Sequence, residues 1–263
     1  MKLFAAYITL ILLTGSLANA ERWDLSIYSE QYPPFNFSEN NNEAKGVTVD
    51  LLKRILVDID REDLIEQIRF VPWARGYHYV TTAPNILLFA MARNPEREQL
   101  FHWVGPIMTT NFVLIGKQSL LDKFGGELTL EDITKLKVIV IKNDVGELIL
   151  RQRKELTGIS KEVVSTPTEA AKMLHFDRVD LWCYGIEAVQ FIMKREGFDY
   201  ENYQIIYPLD TQTTLYYAFS QQTPLEIVEQ FQQSLDRMKM PDETGVSVLD
   251  QILINYGISP NKF

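Results

Sequence analysis

Trp23-Asp24-Leu25-Ser26-Ile27-Tyr28 alternates apolar with polar side chains, as an extended strand with one buried face does, and Tyr32-Pro33-Pro34-Phe35 then stops it. From Gly46 the period changes. Val47, Leu51, Leu52, Ile55 and Leu56 recur at helical spacing, with Thr48 or Asp50 available as a cap. Residues 36–45 between them are polar and read as a loop, Asn40-Asn41-Asn42 included. Strand, turn and helix in this order open a βαβ unit, and the pattern continues outward from it.

Residues 68–71 read as a strand, 74–82 as a helix and 86–90 as a short buried strand, which closes a βαβαβ pattern. After Pro106 the chain runs into another strand, Asn111-Phe112-Val113-Leu114-Ile115. A second α/β set follows: a helix over 130–136, a strand over 137–141 and a helix over 146–156. Thr166-Pro167-Thr168-Glu169 has capping-box spacing with Pro at the first helical position, so a helix should run to about residue 174. Strands over 179–183 and 204–207 flank a helix over 186–195; an extended 214–220 and helices over 224–238 and 246–253 end the chain. The expected fold class is α/β with two lobes, each a small sheet flanked by helices, and two crossovers forming a hinge near 106–110 and 209–212. Lobe 1 takes residues 21–110 and 209–263, and lobe 2 takes 111–208. A cleft between them follows from that arrangement.

The 263 residues are 46% apolar and 23% charged, a balance that supports a folded core and excludes a disordered chain. Met1-Lys2, an apolar run to Leu17 and the small-x-small Ala18-Asn19-Ala20 read as a secretory signal peptide over 1–20, which places the protein in the periplasm. Processing would leave 243 of the 263 residues and, with Lys2 gone, move the formal charge from −9 to −10. An acidic chain without a Lys/Arg cluster is a poor partner for nucleic acid or an anionic membrane. Cys183 is the only cysteine, so no intrachain disulfide forms, and none follows the cleavage site to carry a lipid anchor. The expected state is a monomer.

Obvious catalytic signatures are missing. His78, His102 and His175 share no metal-ligating spacing, Gly245-Val246-Ser247-Val248-Leu249 lacks the second Gly of a nucleophile elbow, and Gly125-Gly126 is too isolated to cradle phosphate. No metal or cofactor is expected. Cys183 ends an apolar strand, where a buried structural thiol is the ordinary reading.

Three segments in order carry a resemblance: Tyr32-Pro33-Pro34-Phe35 followed by Gly46-Val47-Thr48-Val49-Asp50-Leu51-Leu52; Val71-Pro72-Trp73-Ala74-Arg75-Gly76-Tyr77; and Ala92-Arg93-Asn94-Pro95-Glu96-Arg97-Glu98 leading into Trp103-Val104-Gly105-Pro106-Ile107. They resemble the family 3 bacterial extracellular solute-binding proteins, the periplasmic amino-acid-binding type that serves ABC importers. The similarity continues weakly through Val179-Asp180-Leu181. The resemblance implies a two-lobed periplasmic-binding-protein fold that closes on a small solute and delivers it to the membrane subunits of an ABC importer.

By that resemblance Arg97 grips a carboxylate, with Asn94 at the Thr position of the family's Thr-x-x-Arg segment. A planar guanidinium gives a carboxylate two parallel hydrogen bonds. The alternative is a surface pair with Glu96 or Glu98. Tyr32 and Phe35 match the family's cleft-lining aromatic motif, or else pack into the lobe. Trp73 and Arg75 follow the second strand, at the carboxyl end where open α/β sheets bind ligands; alternation from Ala92 turns Arg93 away. Asn143 and Asp144 precede a second-lobe helix where the family often has a donor pair, or form a plain N-cap turn. The acidic residue that receives an α-ammonium in the family aligns with Gly185, beside Tyr184. Either the ligand is not a standard α-amino acid, or Glu187 or Asp144 replaces the missing charge. The family also resembles periplasmic cyclohexadienyl dehydratases, for which Glu187 would be the general acid, and a third reading is a ligand-bound partner of a membrane sensor.

Overall fold

A computed structural model describes residues 23–39 and 43–260. The expected signal peptide over 1–20 and the asparagines at 40–42 lie outside the described residues. In chain order the structure runs through β1 (Ser26–Ser29), a ribbon of β2 (Phe37–Ser38) and β3 (Ala44–Lys45), α1 (Val47–Asp58), β4 (Arg69–Phe70), α2 (Trp73–Thr82), β5 (Ile86–Ala92) and the long β6 (Phe101–Lys117). Then come α3 (Gln118–Lys123), α4 (Leu130–Thr134), β7 (Lys137–Ile141), α5 (Val145–Gln152), β8 (Ser160–Val164), α6 (Pro167–His175), β9 (Leu181–Gly185) and α7 (Ile186–Arg195). A second long strand, β10 (Tyr203–Ser220), leads into α8 (Leu225–Lys239) and α9 (Val248–Asn255).

The main sheet has the order β4-β1-β5-β10-β6-β9-β7-β8. At its centre β6 and β10 pair antiparallel along their whole length, from Tyr203 opposite Lys117 to Ser220 opposite Phe101. One end of this ribbon carries the parallel strands β5, β1 and β4, and the other carries β9, β7 and β8. Two α/β lobes therefore hang from one shared ribbon, whose register slips between Pro208 and Gln212.

Continuous pairing also corrects two expectations. The strand expected after Pro106 begins at Phe101 and passes through Gly105-Pro106, and the segments at 204–207 and 214–220 are parts of one strand. The edge strand β8 was not expected, because Ser160-Lys161-Glu162 shows solvent the polar side chains of a loop; only parallel pairing with β7 makes it a strand.

The apolar periods become packing. Leu51, Leu52, Ile55 and Leu56 of α1, each fully buried, join Phe231 and Leu235 of α8 in the main core, while Trp73 and Val80 of α2 meet Leu88, Met91 and Ala218 in a second cluster. The cap of α1 differs from the sequence expectation. Gly46 holds that position at φ 117°, and a Cβ there would stand 2.4 Å from the Phe35 carbonyl oxygen. Thr48 instead donates its hydroxyl to Phe35 O at 3.0 Å, and Asp50 accepts the Tyr256 hydroxyl at 2.8 Å. These bonds dock the turn at 32–36 on the helix start and so fix Tyr32.

Candidate functional site

Parallel strands in both lobes aim their carboxyl ends at one another. From the first lobe come Glu30 after β1, Trp73 after β4 and the turn after β5; from the second come Asn143 and Asp144 after β7, and Gly185 at the end of β9. Arg97 is presented by a local turn in which its N–H donates to the Asn94 side chain at 3.0 Å. The acids beside it are taken elsewhere. Arg93 grips Glu98 through two hydrogen bonds of 2.8 and 2.6 Å, and Glu96 accepts from Gln152 at 2.9 Å.

Freed from those pairs, the Arg97 side chain turns inward and is 5% exposed. It donates to Ala92 O at 3.3 Å and, across the cleft, to Asn143 O at 3.1 Å. The Trp73 indole donates to the same carbonyl at 2.8 Å. The guanidinium also lies 5.4 Å from the Trp73 ring and 5.3 Å from the Tyr77 ring, within cation–π range. Asn143 holds its carbonyl there with φ 60°, a conformation Asn tolerates, while its own N–H donates to Glu147 at 2.8 Å.

A cavity of about 290 Å³ opens at this point, lined by Tyr77, Glu96, Arg97, Asn143, Asp144, Glu147, Leu148 and Arg151. The volume suits a small solute. Its walls come from both lobes and are mostly charged or polar. A larger groove, about 850 Å³, lies along α8 and the end of α1, against Trp23 and Arg61, and draws nothing from the second lobe.

Below the cavity the lobes touch through aromatic rings. Tyr32 packs edge-on to Phe35 at 4.8 Å and to Tyr184 at 5.1 Å. Its hydroxyl ends against Gly185, where an added Cβ would stand 2.6 Å away. Thr110 of β6 gives its hydroxyl to Glu187 at 2.7 Å, and the buried Tyr32 hydroxyl has no hydrogen-bond partner of good geometry. Burial raises the Tyr32 pKa, and the nearby Asp144, Glu187 and Glu30 carboxyls raise it further.

Two carboxyls in this region are displaced from their ordinary values. Burial drives Glu30 well upward, aided by Asp144 and opposed by Arg97. Asp144, which caps α5 by accepting the Val145 N–H at 2.6 Å, is pushed up to about 6 by desolvation, against the pull of the Val145 and Gly146 N–H groups and Arg97.

Of the residues singled out from sequence, Trp73, Arg97, Asn143 and Asp144 meet at the cavity, and Tyr32, Tyr184, Gly185 and Glu187 form the layer beneath it. Phe35 stands behind Tyr32 in the core, fully buried. Arg75 is exposed on α2 and its side chain makes no hydrogen bond or ion pair among the described residues. Cys183 is buried against Gly146, its thiol donating to that carbonyl at 3.5 Å, and burial raises its pKa. Sequence reasoning missed Glu30 and Tyr77. Both were within reach of it, since Glu30 directly follows a strand end and Tyr77 lies one helical turn after Trp73.

The model of the bacterial extracellular solute-binding proteins, family 3, matches residues 26–244. Among solved structures the fold resembles a histidine kinase sensor domain with similarity to periplasmic binding proteins, at TM-score 0.73 and 16% identity, covering 90% of this chain and 98% of that one. It also resembles a variant of ArgBP from T. maritima, at TM-score 0.71 and 17% identity over 88% and 94% of the two chains. An ancestral amino acid-binding protein described as a precursor of cyclohexadienyl dehydratase matches at TM-score 0.69 and 19% identity, over 88% and 94%. No curated protein matches the chain.

Proposed function

We propose that this chain, which belongs to the bacterial extracellular solute-binding proteins, family 3, captures a small polar, carboxylate-bearing solute between its lobes and hands it to an ABC importer. The observation that carries the reading is Arg97, buried in a two-lobed cleft and paired with no carboxylate of its own chain among the described residues. Its remaining donors can meet a solute carboxylate, and each charge-assisted bond contributes about 1.5–3 kcal/mol where water is excluded. A micromolar dissociation constant needs only about −8 kcal/mol.

Closure would use the ribbon of β6 and β10 as its hinge, with lobe 1 over 21–110 and 209–263 and lobe 2 over 111–208. The register slip between Pro208 and Gln212 supports a hinge there. The protein acts in the periplasm as a monomer after removal of residues 1–20, and among the described residues no helix is long and apolar enough to cross a membrane. ArgBP from T. maritima among the structural neighbours supports an amino acid or a related solute.

The test is a thermal-shift screen of the processed chain against amino acids, dicarboxylates, amines and peptidoglycan fragments, because a ligand bound only to the folded state raises the melting temperature. Arg97→Ala is expected to abolish the shift of the best solute; a shift that survives removes Arg97 from the site. Binding without chemistry is the reading favoured over catalysis by Glu187, and turnover of prephenate or arogenate by the purified chain would reverse that order.

A further inference from the structure

The turn that carries Arg97 packs two cations and two anions into six residues, Arg93-Asn94-Pro95-Glu96-Arg97-Glu98. An ion pair made within the turn would hold Arg97 at the surface, outside the cleft. Both neighbouring carboxylates are occupied instead. Glu96 takes the Gln152 amide at 2.9 Å and stands 3.7 Å from Arg151, so the second lobe holds it. Glu98 is held within the first lobe by a single residue: Arg93 closes on it through hydrogen bonds of 2.8 and 2.6 Å.

Arg93 is built to keep that grip. Its N–H continues the sheet by donating to Thr214 O at 3.3 Å. Its guanidinium lies 5.7 Å from the Trp103 ring and 5.2 Å from the Tyr216 ring, within cation–π range. Those rings are fixed in turn. Trp103 donates its indole N–H to Glu98 O at 3.1 Å, and Tyr216 packs so closely over Gly105 that an added Cβ would stand 2.2 Å from its ring. Isolated exposed ion pairs contribute little, but a bidentate guanidinium–carboxylate pair held in one geometry is the exception. The Arg93 guanidinium accordingly keeps the Glu98 carboxyl below its ordinary range. Neither residue lines the cavity.

We propose that Arg93 is a positioning residue for the solute contact, acting by withholding Glu98 from Arg97. This rests on the cleft reading above and deepens it, since that reading needs the Arg97 guanidinium to enter the cleft without a carboxylate of its own chain. With Arg93 gone, Glu98 is a free acid adjacent to Arg97 in the chain. It then competes with the solute, and Arg97 swings outward to a partner always at hand. The loss comes from the acid released rather than the cation removed, so removing Glu98 as well restores the site.

Two measurements on the processed chain test this. The first needs no solute: the Glu98 carboxyl is titrated by carbon-13 NMR in the native chain, in Arg93→Gln, and in Arg93→Gln combined with Arg97→Gln. In Arg93→Gln it is expected to stay below the ordinary carboxylate range, held now by Arg97, and to return to that range only in the double variant. A return already in Arg93→Gln shows that Glu98 does not reach Arg97 and overturns the inference, while the cleft reading stands. The second measurement is calorimetric affinity for L-arginine and glutarate. For the probe that binds better, Arg93→Gln is expected to weaken binding about tenfold, Glu98→Gln by less than about threefold, and the two together to recover to within about threefold of native. A Glu98→Gln loss as large as that of Arg93→Gln, or a double variant that recovers nothing, makes the pair a plain brace of the turn and overturns the inference. If Arg97→Ala leaves both affinities intact, the cleft reading itself fails, and a chain that binds neither probe overturns both.

Discussion

The lobes meet in two layers of opposite construction. At the rim the contacts are long, charged side chains in water: Arg151 and Glu96 are 65% and 50% exposed and 3.7 Å apart. Beneath it the contacts are short, buried and mostly neutral, with the Trp73 indole on Asn143 O and the Tyr32 ring on Gly185. Exposed pairs of the first kind contribute about 0–1 kcal/mol and weaken with salt. In the second kind there is no water to take up a misfit, so a single atom added or removed changes whether the lobes can close. The comparison teaches that, for the closure proposed above, shape in the inner layer is expected to decide and charge at the rim only to adjust.

The hardest way to break that contrast is Gly185→Ala. The new methyl would stand 2.6 Å from the Tyr32 hydroxyl and 3.1 Å from the Thr110 hydroxyl, and overpacking of this sort costs about 1–3 kcal/mol. Because Tyr32 and Gly185 come from the two different lobes, solute affinity is expected to fall roughly 10- to 100-fold if closing the lobes is part of binding. Adding Tyr32→Phe should recover part of the affinity by removing the clashing oxygen. Calorimetric dissociation constants for the four proteins of this cycle decide it, and unchanged affinity in Gly185→Ala would mean that the inner layer does not gate closure.

Protonation probes the same layer. The Asp144 carboxyl, ordinarily near 3.8, is pushed up to about 6 by burial, so a state of the cleft that buries it holds the proton more tightly than one that exposes it to water. Closure is therefore favoured below that window and loses the contribution as pH rises from about 4 through 6. Glu30 and Glu147 act in the same direction and Arg97 opposes it. For the solute-free chain, the closed population should drop about tenfold between pH 5 and 7, read as an increase in the radius of gyration by small-angle scattering. Asp144→Asn should flatten that profile; if both proteins expand alike, Asp144 is not the titrating group.

A smaller step is Trp73→Phe, which keeps an apolar ring and deletes the indole N–H that reaches Asn143 O. Losing one hydrogen bond between the lobes costs about 1 kcal/mol, so solute affinity should weaken about fivefold. An unchanged dissociation constant would assign the tie between the lobes to Arg97 alone.

The two layers also differ in how much of them the sequence disclosed. Trp73 was legible from its place just after a strand end, whereas Arg97, Asn143 and Asp144 entered only through the family resemblance, with a plain N-cap turn as the alternative for the last two. The partners of Arg97 were not legible, because a backbone carbonyl such as Asn143 O has no sequence signature. By the resemblance Gly185 read as a missing charge, whereas the structure shows the space for its side chain taken by the Tyr32 hydroxyl, 2.6 Å from an added Cβ, which is a long-range fact that no local pattern contains. Glu30 escaped notice because a lone carboxylate in a loop is normally solvated; only tertiary burial makes it exceptional. Arg75, one residue pair along from Trp73, illustrates the opposite error, since helical geometry turns neighbours at i and i+2 to different faces. In the fold, alternation located the buried strands well, while β8 and the continuity of β6 and β10 depended on pairing partners distant in the chain.

The mildest intervention tests the rim itself. Glu96→Gln removes the charge facing Arg151 yet keeps an oxygen that can accept from the Gln152 amide, now at 2.9 Å. Since Arg151 and Glu96 are both largely in water, their attraction is already screened and the side chains gain entropy when released. Solute affinity should change by less than about twofold, and its salt dependence should flatten slightly between low and physiological ionic strength. A loss of tenfold or more from this substitution would show that the rim carries the closure energy, and would invert the division between the layers. The same measurement also separates two roles for the cavity wall. If Glu96 helps to attract a cationic solute from a distance, the association rate should fall with the charge while the dissociation rate stays constant, and stopped-flow kinetics at two salt concentrations would show that split.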